Sequence, residues 1–179
     1  MTYKHLSFVS LFAVAALSAS AQRNVENFNF GWQFHRGNID VAAINTSNGS
    51  WETINVPHDF QISQPWVAPA ANESEDNSDG ASNFKSRLSA RGFKEMGDGW
   101  YVKTYTPAAD MKGRRILLDF EGIMYVGDVY LNSKRIGGTD YGYLGFDIDV
   151  SKLLKYGQAN TIAVHASTSG PLNSRWYTG

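Results

Sequence analysis

Apolar and polar residues alternate in short runs along most of this chain, and turn-forming residues separate the runs. Alternation with a period of two is typical of strands that bury one face. We expect strands in five such runs: Trp100–Thr106, Arg114–Phe120, Ile123–Leu131, Tyr143–Ile148 and Thr161–Ala166. No long stretch has the 3.6-residue period of an amphipathic helix. The pattern therefore predicts an all-β domain, either a sandwich or a barrel.

The segments between these runs have the composition of turns. Asn132–Gly138 is predicted to be a turn, because its two glycines can adopt positive φ. Asp149–Leu154 has the pattern of a single capped helical turn, and Lys155–Asn160 is predicted to be another turn. In the run that follows, we expect Ile162 and Val164 to face inward.

Two regions interrupt the alternation. The first is Pro69–Gly99, a long polar loop with an acidic first half, Asn72–Gly80, and a basic second half, Phe84–Lys94. The second is Ser167–Gly179, which is polar and then aromatic. Loops as long as Pro69–Gly99 are usually functional or disordered, and the sequence leaves its role open.

The first residues have the three parts of a secretory signal peptide. Lys4 belongs to a short basic start, Leu6–Leu17 is an apolar run of 12 residues, and Ser18–Ala21 is a small-residue cleavage site. The run is too short to span a bilayer, which takes about 20 residues. We expect export to the periplasm or the extracellular space and a new N-terminus at Gln22. The alternative is a buried N-terminal helix.

The composition removes several classes of function. The 179 residues suit one domain and are too few for a (β/α)₈ barrel, which takes about 250. A formal net charge of −1 gives no basic surface for nucleic acid. The absence of cysteine excludes disulfides and thiolate zinc sites, and the four histidines show no metal-ligand spacing. We therefore expect no metal, no cofactor, no nucleic-acid partner and no membrane partner.

Three motifs carry the most information through their order along the chain. They are Trp51–Phe60 (WETINVPHDF), Gly99–Tyr105 (GWYVKTY) and Asp119–Gly138 (DFEGIMYVGDVYLNSKRIGG), followed by the strand-like Tyr141–Val150. Together they resemble the N-terminal sugar-binding domain of glycoside hydrolase family 2, the family of β-galactosidases, β-glucuronidases and β-mannosidases. The resemblance covers nearly all of residues 22–179. It implies a jelly-roll, galactose-binding-like β-sandwich.

The resemblance also implies that the catalytic chemistry lies outside this domain. In the family, an immunoglobulin-like domain and a (β/α)₈ barrel follow, and the barrel supplies two catalytic glutamates. The closing segment Asn173–Gly179 resembles the start of the stretch that leads into those domains. A retaining glycosidase needs two carboxylates about 5–5.5 Å apart, and no pair in this sequence is patterned for that role. We expect the 179-residue chain to be inactive by itself.

The parent protein is expected to be a secreted β-galactosidase, because an exported form with the VPHD motif is most similar to those members. Two alternatives stay open. The parent could be a β-glucuronidase or a β-mannosidase, or the domain could be a free-standing carbohydrate-binding module or adhesin. The expected partner is a carbohydrate in each case, and in a hydrolase the domain would also pack on the other two domains. The oligomeric state is not fixed by the sequence.

In the family, polar loops of the sandwich contact the sugar held at the barrel. The resemblance assigns that role to Asn173, Ser174 and Arg175, whose side chains suit sugar hydroxyls, with Trp176 able to stack on a ring. Family members often have an acidic residue near this point, where this chain has Asn and Ser. The alternative is that Trp176 packs against the next domain and Arg175 pairs with a carboxylate.

Two further residues are candidates for sugar binding. Asp59 could accept hydrogen bonds from a sugar or orient Arg175, and the alternative is that it caps a turn through its own backbone. Trp66 lies in a loop, which makes it a candidate platform for a sugar or a contact with another domain. The other tryptophans before the C-terminal segment are expected in the core: Trp32, Trp51 and Trp100.

Overall fold

The computed structural model describes residues 23–44, 50–66, 94–95 and 97–168. They form eight strands: β1 Trp32–Arg36, β2 Glu52–Ile54, β3 Asp98–Tyr105, β4 Leu117–Phe120, β5 Val126–Leu131, β6 Lys134–Thr139, β7 Phe146–Asp149 and β8 Asn160–Ser167. The helical segments within these ranges are two short 3₁₀ turns, Val41–Ala43 and Ala109–Met111. No helix of membrane-spanning length and hydrophobicity occurs in the described part of the chain. The prediction of an all-β domain is confirmed.

Six strands form one antiparallel sheet in the order β2-β1-β3-β8-β5-β6, and β4 pairs with β7 in a second sheet. The longest ladder joins β3 and β8, which pair along their whole length from Asp98↔Ser167 to Tyr105↔Asn160. On its other side, β8 pairs with β5. The last strand in the described chain therefore lies near the centre of the large sheet.

The main core lies between the large sheet and the β4–β7 pair. Val129 of β5 and Ile162 of β8 are fully buried, and they belong to one cluster with Ile148 of β7 and with Val150. Burial of one such side chain stabilises the fold by about 1.5–3 kcal/mol. Two sheets packed in this way form the jelly-roll β-sandwich that the resemblance implied.

Strand β8 is buried on both of its faces. Ile162 and Val164 face the main core, as predicted. Ala163, between them, belongs to a second apolar cluster with Trp100 and Ile44 on the opposite face of the sheet. The residues around the first 3₁₀ turn cover this face at Ala163, and His165 on the same face is bonded to Asp98.

Two of the three tryptophans that were expected in the core are buried there. Trp32 is 6% exposed and Trp100 is 4% exposed. The indole N–H of Trp32 donates to the carbonyl of Phe28 at 2.8 Å, which satisfies its polar atom. Trp51 is half-buried and packs against the second cluster.

The turn predicted over Asn132–Gly138 is shorter than expected. Asn132 and Ser133 alone form it, with φ of 51° and 67°, and the residues that follow are strand β6. Two successive residues with positive φ match the twist of a hairpin, and Asn tolerates this conformation better than most residues. The prediction was therefore wrong about the last residues of this segment.

The two glycines of that segment serve packing within the sheets. A Cβ on Gly137 would lie 2.7 Å from Cδ1 of Ile148, and a Cβ on Gly138 would lie 2.2 Å from the carbonyl oxygen of Gly127. Both distances are shorter than any normal contact. Glycine is required here by close approach between neighbouring elements and not by turn conformation.

The single helical turn predicted over Asp149–Leu154 is confirmed. Oδ1 of Asp149 accepts a hydrogen bond from the N–H of Ser151 at 3.0 Å. The N–H of Leu154 donates to the carbonyl of Val150 at 3.1 Å. The turn places Leu154 in the main core, where it is 8% exposed.

The following turn is held by Asn160, the first residue of β8. Its side chain is almost completely buried, and its Oδ1 accepts from the N–H of Lys155 at 2.9 Å. Its Nδ2 donates to the carbonyls of Lys155 and Gln158, both at 2.9 Å. The amide group of Asn132 donates to the same Oδ1 at 3.0 Å. One buried side chain therefore connects two turns at this end of the sandwich.

Candidate functional site

The exit end, defined as the end of the sandwich at which β8 finishes, is where the candidate C-terminal segment begins. Thr168 follows β8 and is hydrogen-bonded to Gly97, which precedes β3. Thr168 and Gly97 therefore lie side by side at this end of the sandwich. Four of the predicted sugar-binding residues lie outside the described residues, and their role stays a prediction: Asn173, Ser174, Arg175 and Trp176.

The VPHD segment leads from β2 along the inner side of β1. The Val56–Pro57 peptide bond is cis. Nδ1 of His58 lies 3.1 Å from the hydroxyl of Tyr101, and the His58 ring packs edge-on against Phe34 with centroids 4.7 Å apart. Burial, and to a smaller extent the charge of Asp59, raises the pKa of Tyr101 far above its usual range. The hydroxyl therefore stays protonated and holds His58 in place.

Asp59 caps a turn through its own backbone. Its Oδ1 accepts a hydrogen bond from the N–H of Gln61 at 2.9 Å, which is the geometry of an Asx turn. The side chain of Gln61 continues to the carbonyl of Glu95 at 2.7 Å. This contact matches the alternative given in the sequence analysis, in which Asp59 caps a turn through its own backbone. Binding of a sugar by Asp59, or its pairing with Arg175, stays a prediction.

Trp66 lies on the surface, where it is 73% exposed. Nζ of Lys94 lies 4.0 Å from the centroid of the Trp66 ring, a cation–π contact, and the two residues form an isolated antiparallel bridge. The same ammonium group donates to the carbonyls of Ile62 and Gln64. The indole is thus held in one orientation and keeps much of its surface open. Its role as a sugar platform stays a prediction.

The predicted loop Pro69–Gly99 is shorter at its end than expected, because Asp98 and Gly99 belong to β3. Most of the rest of this loop lies outside the described residues. The bridge between Trp66 and Lys94 joins the chain just before residues 67–93 to the chain just after them.

His165 has a structural environment on the second face of the sheet. Its Nε2 lies 3.0 Å from Oδ1 of Asp98, and its ring stacks on Trp100 with centroids 4.7 Å apart. Because an ionised carboxylate can only accept, Nε2 carries the hydrogen. Across the described ranges, no three His, Asp or Glu side chains are grouped in a way that could hold a metal ion.

A cleft of about 330 Å³ lies at the edge of the large sheet, where β2 stops covering β1 (the edge cleft). The β1–β2 register runs from Trp32↔Ile54 to Phe34↔Glu52, so the last two residues of β1 have no partner in β2. The cleft is lined by residues from three segments, including His35, Arg36, Trp51, Glu52, His58 and Phe60. It mixes aromatic rings with charged and neutral polar groups.

None of the residues of the edge cleft was named from the sequence as a candidate for sugar binding. The nearest candidate that was named is Asp59, which follows the cleft residue His58. One signal for them is present in β1, where the alternation of Trp32 and Phe34 with polar residues ends in His35 and Arg36. The contribution of Trp51 and Glu52 depends on strand pairing, which the sequence alone does not reveal.

Comparisons with known proteins agree on one domain type. A family model described as glycosyl hydrolase 2 galactose-binding domain-like matches residues 87–172. The β-galactosidase BoGH2A of Bacteroides ovatus is 28% identical over 93% of this chain, and a β-glucuronidase of Formosa agariphila is 32% identical over 81% of it. A crystal structure of a β-glycosidase from Bacteroides vulgatus has a TM-score of 0.64 and 32% identity over 86% of this chain.

The similarity concerns one part of much longer proteins. This chain spans 18% of the length of the β-galactosidase and 14% of the β-glucuronidase. It covers 18% of the Bacteroides vulgatus β-glycosidase structure. The shared part is the β-sandwich described above.

Proposed function

Because the chain carries the N-terminal, galactose-binding-like domain of glycoside hydrolase family 2, we propose that it is the sugar-binding domain of an exported, retaining β-galactosidase. The observation that carries the proposal is the match of the family model to residues 87–172, which includes β3 to β8. Similarity to the β-galactosidase BoGH2A over 93% of this chain supports the choice of sugar. In this proposal, the catalytic carboxylates belong to a barrel outside the chain.

The domain itself would contribute to the substrate pocket from its exit end. Asn173, Ser174 and Arg175 would bond to sugar hydroxyls, and Trp176 would stack on the ring. Asp59 and Trp66 would add contacts from the segment before β3. The hydrogen bonds between Thr168 and Gly97 support this arrangement. They join the residue that follows β8 to the residue that precedes β3, so the two segments meet the sandwich at the same place.

A β-glucuronidase is the second candidate for the parent protein. Relatives with that name are as similar to this chain as the β-galactosidases, at 32% identity for one of them. A glucuronide carries a carboxylate, which Arg175 could bind with two parallel hydrogen bonds. The sandwich is common to both kinds of relative, so the choice between them depends on a direct assay.

The assay compares the purified chain with a longer product that includes the coding sequence downstream of Gly179 in the genome. We expect the longer product to hydrolyse an aryl β-galactoside faster than the aryl β-glucuronide and β-mannoside, with retention of the anomeric configuration. The 179-residue chain should hydrolyse none of them. Preference for the glucuronide would establish the second candidate, and a longer product without glycosidase activity would overturn both.

Export is tested separately. The secreted or periplasmic protein should begin at Gln22 when its N-terminus is sequenced, because Ser18–Ala21 has the small residues of a cleavage site. A mature protein that still begins at Met1 would contradict this part of the proposal.

A further inference from the structure

The edge cleft has aromatic surface suited to the apolar face of a sugar ring. The half-buried ring of Trp51 supplies this surface, whereas Phe60 also lines the cleft but is only 5% exposed and contributes little to it. The His35 ring packs on Trp51 with centroids 5.4 Å apart, and Phe60 stacks on Phe34 at 5.8 Å. Rings supported in this way are held in fixed orientations, so little side-chain entropy is lost when a ligand stacks against them.

Hydrogen-bond donors and hydrogen-bond acceptors both surround these rings. The carbonyl of Ser50 can only accept, so Nδ1 of His35 donates to it (3.1 Å) and Nε2 is left as an acceptor. His58 uses Nδ1 toward Tyr101, and no described residue bonds to its Nε2. Glu52 adds a solvent-exposed carboxylate. Sugar hydroxyls, which both donate and accept, match such a mixture.

The charges of the edge cleft favour a neutral ligand. Nη2 of Arg36 lies 3.3 Å from Oε2 of Glu95, which balances its charge. Nη1 of Arg36 is buried and has no hydrogen-bond partner among the described residues. Glu52 is a second carboxylate on the same cleft. Among the described residues that line the cleft, Arg36 and Glu52 carry opposite charges, so these residues supply no excess positive charge that would attract an acidic sugar.

We propose that the edge cleft is a second carbohydrate site, separate from the exit-end residues 173–176, and that it binds a neutral hexopyranose unit of a glycan. Its volume of about 330 Å³ lies at the lower end of ligand pockets, as expected for one or two sugar rings. The choice of a glycan as ligand rests on the proposed sugar-binding function. A site of this kind would hold a second part of the polysaccharide that the parent enzyme degrades.

The test is calorimetric titration of the secreted form of the chain with methyl β-galactopyranoside, methyl β-glucopyranoside and methyl β-glucuronide. A small ligand of this size is expected to bind with a dissociation constant on the order of 1 mM. Glu52→Ala should weaken binding of the neutral glycosides about tenfold, because a hydrogen bond to a charged group is lost. Glu121→Ala, which removes another exposed glutamate at the end of β4, is the matched control and should leave binding unchanged.

A second variant tests whether the effect of Glu52→Ala on binding comes from the cleft itself. Trp51→Ala should also weaken binding, and its unfolding transition shows whether the sandwich is intact at the temperature of the titration. Unchanged affinity in Glu52→Ala would overturn the edge-cleft proposal, and so would tighter binding of the glucuronide than of either neutral glycoside. Neither result touches the hydrolysis assay of the longer product, so failure of this proposal and failure of the proposed function remain distinguishable.

Discussion

Thr168 and Gly97 are joined by three hydrogen bonds. The N–H of Thr168 donates to the carbonyl of Gly97 at 2.9 Å, and the N–H of Gly97 donates to Oγ1 of Thr168 at 3.0 Å. The hydroxyl in turn donates to the same carbonyl at 3.2 Å. The pair extends the β3–β8 ladder by one step and fixes the place from which two candidate segments leave the sandwich.

We predict that Thr168→Val destabilises the domain although it keeps the size of the side chain. Thr168 is 5% exposed, and valine would leave the N–H of Gly97 without its side-chain acceptor. An unsatisfied donor costs about 1–3 kcal/mol when it is buried, and because this N–H is partly buried we expect a loss of about 1 kcal/mol. Urea unfolding should show this loss. Thr53→Val is the control, because Thr53 is exposed and, among the described residues, its side chain accepts only from Gln33, so its effect should stay within about 0.5 kcal/mol.

We predict a larger loss for Asn160→Ala. The substitution removes the acceptor for the N–H of Lys155 and the donor for two carbonyls, all at about 2.9 Å. Several buried groups lose their partners at once, so the free energy of unfolding should fall by about 3 kcal/mol or more. Asn27→Ala is the control, since Asn27 is exposed and its side chain bonds to no described residue other than the N–H of Asn29. Equal losses in the two variants would contradict the role assigned to Asn160.

We predict that Gly138→Ala is poorly tolerated although its residue lies in a regular strand. The new Cβ would lie 2.2 Å from the carbonyl oxygen of Gly127 on the neighbouring strand β5, and this backbone atom cannot move away cheaply. Overpacking of this kind costs about 1–3 kcal/mol or more. In Gly97→Ala the nearest atom lies 3.6 Å away, so this variant should unfold close to the parent. The midpoints of denaturant unfolding of the two variants and the parent measure this difference in stability.

A pH-dependent contribution to stability is expected from Asp149. The hydroxyl of Ser151, then the Ser151 N–H, and then Arg115 hold the pKa of Asp149 below its usual value of 3.8. A carboxyl whose pKa is lower in the folded state stabilises the fold above the unfolded value, and this contribution is lost as pH falls through the folded pKa.

Asp149→Asn should therefore reduce the free energy of unfolding at pH 7, and the difference from the parent should shrink at about pH 2. Urea titrations at the two pH values measure it. Asp110→Asn, at an exposed aspartate without a hydrogen bond to the described residues, should show no such change between the two pH values. A difference for Asp149→Asn that stays constant with pH would contradict the assignment.

Much of the fold was predictable because alternation reports burial directly. The run Thr161–Ala166 placed Ile162 and Val164 inward, and both are buried. Strand β6 was missed, because Gly137 and Gly138 have the composition of a turn, while their actual reason is contact with Ile148 and Gly127. Such contacts join residues on different strands, so they cannot be predicted from the local sequence pattern.

The candidate site was less predictable, for a similar reason. Asp59 was recognised as a turn former or a ligand from its place after Val56–Pro57, and its bond to Gln61 shows the turn. The edge cleft, in contrast, combines the end of β1 with Trp51 and Glu52, which meet only through strand pairing. A local motif can identify a residue such as Asp59, whose contacts are with its sequence neighbours. A cleft formed by residues from different strands depends on the sheet register, which no local motif contains.

The position of β8 has a consequence for synthesis of the protein on the ribosome. Its two neighbours, β3 and β5, are made first, yet each has an edge that only β8 can pair. Until residues 160–167 leave the ribosomal tunnel, the large sheet is split into two parts with open edges. Unpaired edges of this kind invite association with other chains. The nascent chain should therefore be most prone to associate with other chains while β3 and β5 have emerged and residues 160–167 are still in the tunnel.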